Sequence, residues 1–246
     1  MWILKVLGIA LAALLLYLLF LFVCSLFVSP KREYEAHSRF YRGLLNTATA
    51  IGLKIVRIRV HTTGIEKIPT DTKDLLFVGN HRSRFDPIVS WYVLRRWQPA
   101  YISKPSNFRV PIFGRIIRKC CFLAIDRENP RNALKTVNRA AGLLKRGEVS
   151  VGVYPEGTRS KTGALLPFHN GVFKIAHKAG ASIVVLSVRG TEKVRQNYPL
   201  HATDVFVDVL GVLPADAIKA ARTDTIGIQV RSLLAQQLQE PSEVRA

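Results

Sequence analysis

The chain opens with an apolar run that no charged residue interrupts from Val6 to Val28. At ~1.5 Å per residue a helix over it measures about 34 Å, enough to cross the hydrocarbon core of a bilayer. A different pattern follows. Between Arg39 and Lys54, Phe40, Leu44, Leu45, Ile51 and Leu53 are set among polar and basic positions. That is the period of an amphipathic helix, suited either to a membrane surface or to the face of a domain. Val56-Arg57-Ile58-Arg59-Val60 alternates as a half-buried strand does. Beyond it strands and helices take turns. The pattern predicts strands over residues 75–78, 100–103, 122–125, 149–154, 183–188 and 205–210, and helices over 87–96, 131–145, 168–179 and 225–239. Gly147 and Gly180 close the second and third of these helices. Near-continuous Val/Ile/Leu strands alternating with helices predict one α/β domain. Its sheet is mixed and substantially parallel, flanked by helices and preceded by a transmembrane helix. The predicted organisation is an anchor over residues 1–30, an amphipathic segment over 31–60 and the α/β domain over 61–246.

Charge narrows the setting. The 246 residues carry a formal charge of +19, with 36 Lys and Arg against 17 Asp and Glu. Such an excess attracts polyanions, either nucleic acid or an anionic lipid surface. The N-terminal run decides for lipid, and no basic motif interleaved with aromatics is present to read bases. Trp2 suits a membrane interface and Lys5 can snorkel to the headgroups. A cleaved signal peptide is the rival reading, but the run is longer than a signal's apolar core and no small-x-small cleavage site follows. Phe22-Val23 before Cys24 also lacks the small residue that precedes a lipid-modified cysteine. Lys31, Arg32, Arg39 and Arg42 crowd one flank while Lys5 stands almost alone on the other. The positive-inside rule then places the domain in the cytoplasm, on a single span. Cys24, Cys120 and Cys121 form no disulfide framework, as expected in a reducing compartment.

Two short stretches carry the chemistry. Asn80-His-Arg-Ser-Arg-Phe-Asp86 puts a base and a carboxylate just beyond a predicted strand, and Tyr154-Pro-Glu-Gly-Thr-Arg-Ser160 does the same for a glutamate, a glycine and an arginine. In a continuous helix residues five apart diverge by about 140°. His81 and Asp86 therefore meet only if the histidine lies in the loop and the acid at the helix entrance. Asp86-Pro87 equally reads as an N-cap with proline in the first turn, and Ser83 to Asp86 fits a capping box. Spacing alone leaves Asp86 open between a cap and an orienting acid. Nothing marks Ser83 as an activated nucleophile. His61, His169, His177 and His201 have no Cys, Asp or Glu at ligand spacing, so no metal site is predicted. No glycine fingerprint or P-loop supports a bound nucleotide cofactor.

The first stretch resembles the first signature block of the glycerolipid acyltransferases, the 1-acylglycerol-3-phosphate acyltransferase family. Cys121-Phe-Leu-Ala-Ile-Asp-Arg127 resembles the second block, with cysteine where glycine is usual, and Tyr154 to Ser160 the third, with tyrosine for phenylalanine. Ser182-Ile-Val-Val-Leu186 stands in the fourth position without that block's prolines. The resemblance runs over about residues 75–191. It implies acyl transfer from an acyl-CoA or acyl-carrier-protein thioester to the free hydroxyl of lysophosphatidic acid, with membrane lipids as partners and no further cofactor. It further implies His81 as general base, Asp86 as its orienting acid, and Arg159 and Arg127 on the acceptor phosphate, with Lys104 near the same pocket. Gly157 would let the backbone approach the ligand, Thr158 would offer a hydroxyl, and Glu156 would orient an arginine or accept from the acceptor's hydroxyl. No cysteine need act, and Cys120 and Cys121 read as small hydrophobes beside a strand. The altered fourth block keeps glycerol 3-phosphate or another lysophospholipid in play as acceptor. A reading from another class is a membrane-tethered polyanion binder without chemistry, which has no need of His81 beside Asp86.

Overall fold

A computed structural model describes residues 1–239. In chain order its elements are α1 Trp2–Leu26, α2 Arg39–Ile55, β1 Ile58–Thr63, β2 Leu75–Gly79, α3 Asp86–Leu94, β3 Ala100–Ser103, α4 Phe113–Lys119 and β4 Leu123–Ala124. There follow α5 Pro130–Lys145, β5 Val151–Val153, α6 Lys174–Ala179, β6 Ser182–Arg189, α7 Val194–Asn197, β7 Thr203–Leu213, α8 Ala215–Ala220 and α9 Thr223–Gln239. The strands form one seven-stranded sheet in the order β1-β7-β6-β2-β5-β3-β4. Only the β6–β7 pairing is antiparallel, with a register shift between Val185 and Leu186; the others run parallel. The expected mixed, largely parallel sheet between helices is what forms.

The central strands explain their own composition. Every residue of β2 is buried, because helices cover both faces and no position along it can face water. On one face Val137, Ala140, Leu143 and Leu144 of α5 pack with Phe173, Ile175 and Val230 against Leu76, Val78, Val151 and Ile183. That face shows why α5 is amphipathic. Asn129 caps its start by accepting from the N–H groups of Arg131 and Asn132 at 3.1 and 3.2 Å, with Pro130 next in line.

The opposite face receives the N-terminal part of the chain. Tyr41, Leu44 and Leu45 of α2 join Ile116, Ile117, Cys120, Trp91 and Tyr101 in a second core, and Leu21, Cys24 and Val28 enter the same cluster. Of the two settings open to the amphipathic helix, its apolar stripe takes the domain face. Arg42 is pulled in with it, donating to the carbonyls of Pro99 and Cys120 at 3.2 and 3.0 Å while its guanidinium lies 5.2 Å from the Trp91 ring centre. Tyr17 still reaches α2, its hydroxyl donating to the Leu44 carbonyl at 3.3 Å, and before it α1 stands clear of the domain. The helix has 25 residues, its most apolar 18 residues have a mean hydropathy of 2.9, and most of its apolar side chains are exposed. A helix apolar all round is stable only when lipid or protein surrounds it.

Several boundaries differ from the pattern-based expectation. The first strand starts two residues late, and the strand expected over 149–154 is trimmed to β5. The helix expected over 168–179 divides into a 3-10 turn, Asn170–Phe173, and α6. α4, α7 and α8 were not foreseen; each is seven residues or fewer, too short to repeat a helical period. Cys120 and Cys121, read as small hydrophobes beside a strand, are fully buried.

Candidate active site

Parallel strands bring their carboxyl ends to one edge of the sheet, and the first three blocks reach that edge, while the fourth lies within β6. His81 follows β2, Tyr154 follows β5, Lys104 follows β3, Arg127 follows β4 and Thr191 follows β6. Neighbouring strands lie about 4.8 Å apart, so side chains distant in sequence converge there.

His81 sits in the loop and Asp86 opens α3, the one arrangement that lets them meet. His81 Nδ1 lies 2.9 Å from Asp86 Oδ2. The same oxygen accepts from the backbone N–H groups of Arg82 and Ser83 at 2.6 and 2.7 Å, and Oδ1 accepts from the Thr191 hydroxyl. Asp86 is 0% exposed, and a buried carboxylate is tolerable only when its lone pairs are satisfied in this way. The cap reading of Asp86 does not hold: Asp86 is the first residue of α3, the position before it is Phe85, and no side chain caps the helix. Its carboxylate turns back instead to the Arg82 and Ser83 N–H groups, and those contacts aim the same oxygen at the imidazole. Because Oδ2 already accepts from two backbone donors, it acts as an acceptor toward the ring as well; Nδ1–H donates to it, and Nε2 is left as the basic nitrogen. Nε2 has no hydrogen-bond partner among the described residues, and the side chain keeps 18% of its surface exposed.

The backbone of His81 is held as firmly as its ring. Its N–H donates to Glu156 Oε1 at 2.7 Å, and its carbonyl accepts from the N–H of Ser160 at 2.8 Å. One residue earlier, Asn80 is fully buried and pairs by its amide with both the N–H and the carbonyl of Val188, tying the end of β2 to β6. The ring stacks on Tyr154 with centroids 4.5 Å apart and planes 21° from parallel. Such a face favours an imidazolium. The Tyr154 hydroxyl donates to Ser90 Oγ at 3.3 Å, and burial pushes its pKa well above the ordinary value, so it remains neutral. This partner gives the tyrosine a use for its hydroxyl at a position where phenylalanine is usual.

Glu156 does something other than orient an arginine. It is 3% exposed, with Oε1 taken by the His81 N–H and Oε2 by the N–H of Leu166 at 3.0 Å. Burial raises its pKa, while these two N–H bonds pull the other way. It braces the loop 160–168 against the His81 turn. Two arginines that sequence reasoning passed over complete the brace. Arg82 donates to the Gly163 carbonyl at 2.6 Å, and Arg231, from α9, donates to the carbonyls of Leu166 and Leu165 at 2.6 and 3.1 Å. Arg231 also lies 5.5 Å from the Phe168 ring centre. The excess of arginine in the chain hides such partners from sequence; only the fold distinguishes them.

Gly157 has φ +68°, and a Cβ there would come 2.9 Å from His169 Cδ2 and 3.8 Å from Arg127 Cζ. Only glycine fits the turn. The contact also places Arg127 against the loop that carries Arg159, although β4 and β5 are separated in the sheet by β3. Arg159 immediately precedes the residue bonded to the His81 carbonyl. Arg127, Thr158, Arg159 and Lys104 are all exposed, and none of their side chains makes a hydrogen bond or ion pair among the described residues. They form a cationic rim beside a buried acid–base pair. Cys121 accounts for the family's usual glycine, since its φ of +62° is a left-handed conformation that glycine adopts freely.

The acyltransferase family profile matches residues 57–189. The chain is 32% identical over 136 residues to a chloroplastic 1-acyl-sn-glycerol-3-phosphate acyltransferase of Arabidopsis thaliana, across 55% of this chain but only 37% of that protein. It is 28% identical over 177 residues to the 1-acyl-sn-glycerol-3-phosphate acyltransferase of Escherichia coli strain K12, across 70% of this chain and 71% of that one. The chain thus spans well under two thirds of the chloroplastic relative. The crystal structure of the 1-acyl-sn-glycerophosphate acyltransferase PlsC from Thermotoga maritima shares the fold, with a TM-score of 0.69 over 93% of this chain and 91% of that one, at 20% identity. The profile match takes in over half of the chain and includes His81, Asp86, Lys104, Arg127 and Arg159, and on that ground the protein belongs to the acyltransferase family.

Proposed function

We propose that this protein transfers a fatty acyl group from an acyl-CoA or acyl-carrier-protein thioester to the free hydroxyl of 1-acyl-sn-glycerol 3-phosphate, giving phosphatidic acid. The observation that carries the reading is His81 Nδ1 at 2.9 Å from an Asp86 carboxylate locked by two backbone N–H groups. His81 Nε2 takes the hydroxyl proton as the oxygen attacks the thioester carbonyl. The tetrahedral adduct collapses with cleavage of the carbon–sulfur bond, and the imidazolium returns its proton to the departing thiolate. Asp86 and the Tyr154 face stabilise the imidazolium between these steps. The proton is borrowed and returned, so the step as written needs neither an acyl-enzyme nor a cofactor.

Arg159, Arg127 and Lys104 hold the acceptor's phosphate, with the two arginines as forks and Lys104 as a point charge. Thr158 adds a hydroxyl donor, and Gly157 keeps the loop open to the phosphate. Glu156 supports the site without touching substrate. α1 anchors the enzyme by a single span, and the basic flank after it keeps the domain on the cytoplasmic side, where the thioester donors are made. The test is acyl transfer by the purified protein in detergent, offered a panel of lyso-acceptors with acyl-CoA or acyl-carrier protein and read by product mass. Phosphatidic acid from lysophosphatidic acid is the expected main product. A preference for glycerol 3-phosphate or for a lysophospholipid with a larger headgroup would reassign the acceptor.

A further inference from the structure

We propose that the turn leading into α4, residues 109–113, is a second membrane contact: a preformed apolar wedge seated in the interface of an anionic bilayer beside the point where α1 leaves it. The proposal rests on the reading of α1 as a spanning helix. The first observation is continuity. Arg115 donates to the carbonyl of Ser25 at 3.3 Å, and Ile116 and Ile117 pack in one cluster with Leu21, Cys24 and Val28. The start of α4 is therefore fixed at the level where the apolar run of α1 ends, which for a spanning helix is the boundary between hydrocarbon and headgroups.

The second observation is what the turn presents there. Val110 is 45% exposed, Phe113 39%, and Phe27 at the end of α1 79%. In water such side chains forgo ~25 cal/mol for each Å² of apolar surface they leave uncovered, and a lipid interface recovers it. The turn is also rigid. Ile112 holds φ +61°, a conformation foreign to a β-branched residue, and a Cβ on Gly114 would come 2.4 Å from the Phe108 carbonyl oxygen. A water-facing turn of this shape is commonly made with glycine or asparagine. Here it is made with isoleucine, packed against the same cluster that holds α1. A wedge already in shape loses little freedom on insertion.

Charge selects the lipid. Between Lys104 and Lys119 there is no Asp or Glu, whereas Arg109, Arg115 and Arg118 stand within the segment. Apolar residues between cations are what an anionic interface takes up, with Arg and Lys at the headgroups. The occupant is thus a bilayer carrying acidic headgroups.

The experiment uses the full chain in nanodiscs containing phosphatidylglycerol. A nitroxide is attached singly at Phe113→Cys, at Leu11→Cys in the middle of α1, and at Leu200→Cys, an exposed site outside α1 and α4. The native cysteines are buried and stay in place, and a mock-labelled wild type corrects for them. Depth is read as the ratio of collisions with oxygen to collisions with a water-soluble nickel chelate. At residue 113 the ratio shifts toward oxygen, between the values at 11 and 200, and it moves back toward water in nanodiscs of phosphatidylcholine alone. A water-like ratio at 113 with a buried one at 11 overturns the wedge and leaves the anchor standing. A water-like ratio at 11 overturns both. Dipolar broadening between labels at 113 that disappears on dilution with unlabelled protein means that a second copy covers the turn, and likewise overturns the proposal.

Discussion

The two halves of the site are built in opposite ways. The base is over-determined: His81 is fixed through its ring, its N–H and its carbonyl by groups leaving β2, β5 and α3, and Asp86 has every bond supplied by the fold. The cationic rim is under-determined: Arg127, Arg159 and Lys104 project into solvent without partners among the described residues. Folding fixes the proposed base in place, whereas the fold leaves the cations of the rim free for the phosphate that the proposed function gives them. A base must be aimed before the reaction, because misplacement costs rate directly. A phosphate grip must be vacant beforehand, because an internal carboxylate partner would compete with the ligand. Few cations of this basic chain are paired with a carboxylate among the described residues; what sets these three apart is their place beside His81.

The contrast predicts unequal damage. His81→Ala should fold normally and lose about 10²–10⁴-fold in turnover, the usual worth of a general base. Asp86→Asn should lose a little less turnover but more stability. An amide can keep an oxygen toward the Arg82 and Ser83 N–H groups by turning its NH2 to the Thr191 hydroxyl, but it loses the charge that strengthens those bonds; both its rate and its melting temperature are to be compared with wild type. On the exposed side, Arg159→Lys should recover only part of the loss seen in Arg159→Ala, since a point charge cannot reproduce the fork. The acceptor KM of wild type should rise with salt, because surface charges are screened within ~8 Å at physiological ionic strength. A salt-dependent kcat at saturating acceptor would place the rim in the chemical step and break the comparison.

Arg231 sharpens it further, because it holds the loop that separates the halves. Each of its hydrogen bonds is worth ~0.5–1.5 kcal/mol net. Arg231→Ala should raise the acceptor KM about three- to tenfold, with the donor KM unchanged and partial rescue by Lys. A matching loss in donor binding would make α9 a general support instead.

The smallest expected effect lies at the junction between α1 and the domain. His37 contacts Glu148 at 2.6 Å. Burial, aided by the charges of Arg42 and Lys73, lowers its pKa from 6.5 despite the pull of Glu148. Burial alone would raise the pKa of Glu148, but its bonds to His37 outweigh that and lower it. Both shifts are downward, so both groups stabilise the fold at neutral pH. The contribution fades as pH falls below the ordinary histidine range toward the lowered folded values. Mild acid should therefore reduce the melting temperature, and His37→Gln should flatten that dependence. Cys120 and Cys121, whose thiols burial pushes up to about 12 and about 11, should resist alkylation at neutral pH until the chain unfolds. Their joint replacement by alanine should leave turnover near wild type.

How far the sequence could be read follows the same division. The meeting of His81 with Asp86 was legible because a loop histidine five residues before a helix-opening acid leaves only one geometry in which they touch. The sheet was legible because β2 and β5, covered on both faces, are built from apolar residues and glycine alone. The role of Glu156 was not, since an acid inside a cationic loop looks like a charge partner; that it serves two backbone N–H groups depends on the return path of residues 160–168. Asn80, Thr191 and Arg231 were invisible for a related reason: their partners, backbone atoms for Asn80 and Arg231 and the Asp86 carboxylate for Thr191, lie far away in sequence. α4 escaped because Ile116 and Ile117 alone cannot display a period.

One comparison tests the account at its centre: acyl transfer by wild type, His81→Ala and Arg159→Ala, each with lysophosphatidic acid and with monoacylglycerol, which lacks the phosphate. The account predicts that His81→Ala loses both activities by similar factors. Arg159→Ala should lose about ten- to a few-hundred-fold with lysophosphatidic acid, as expected for a charge-assisted bond of ~1.5–3 kcal/mol, and should leave the slow monoacylglycerol rate nearly unchanged. Equal losses in Arg159→Ala on both acceptors, or a tenth of wild-type turnover surviving in His81→Ala, would contradict it.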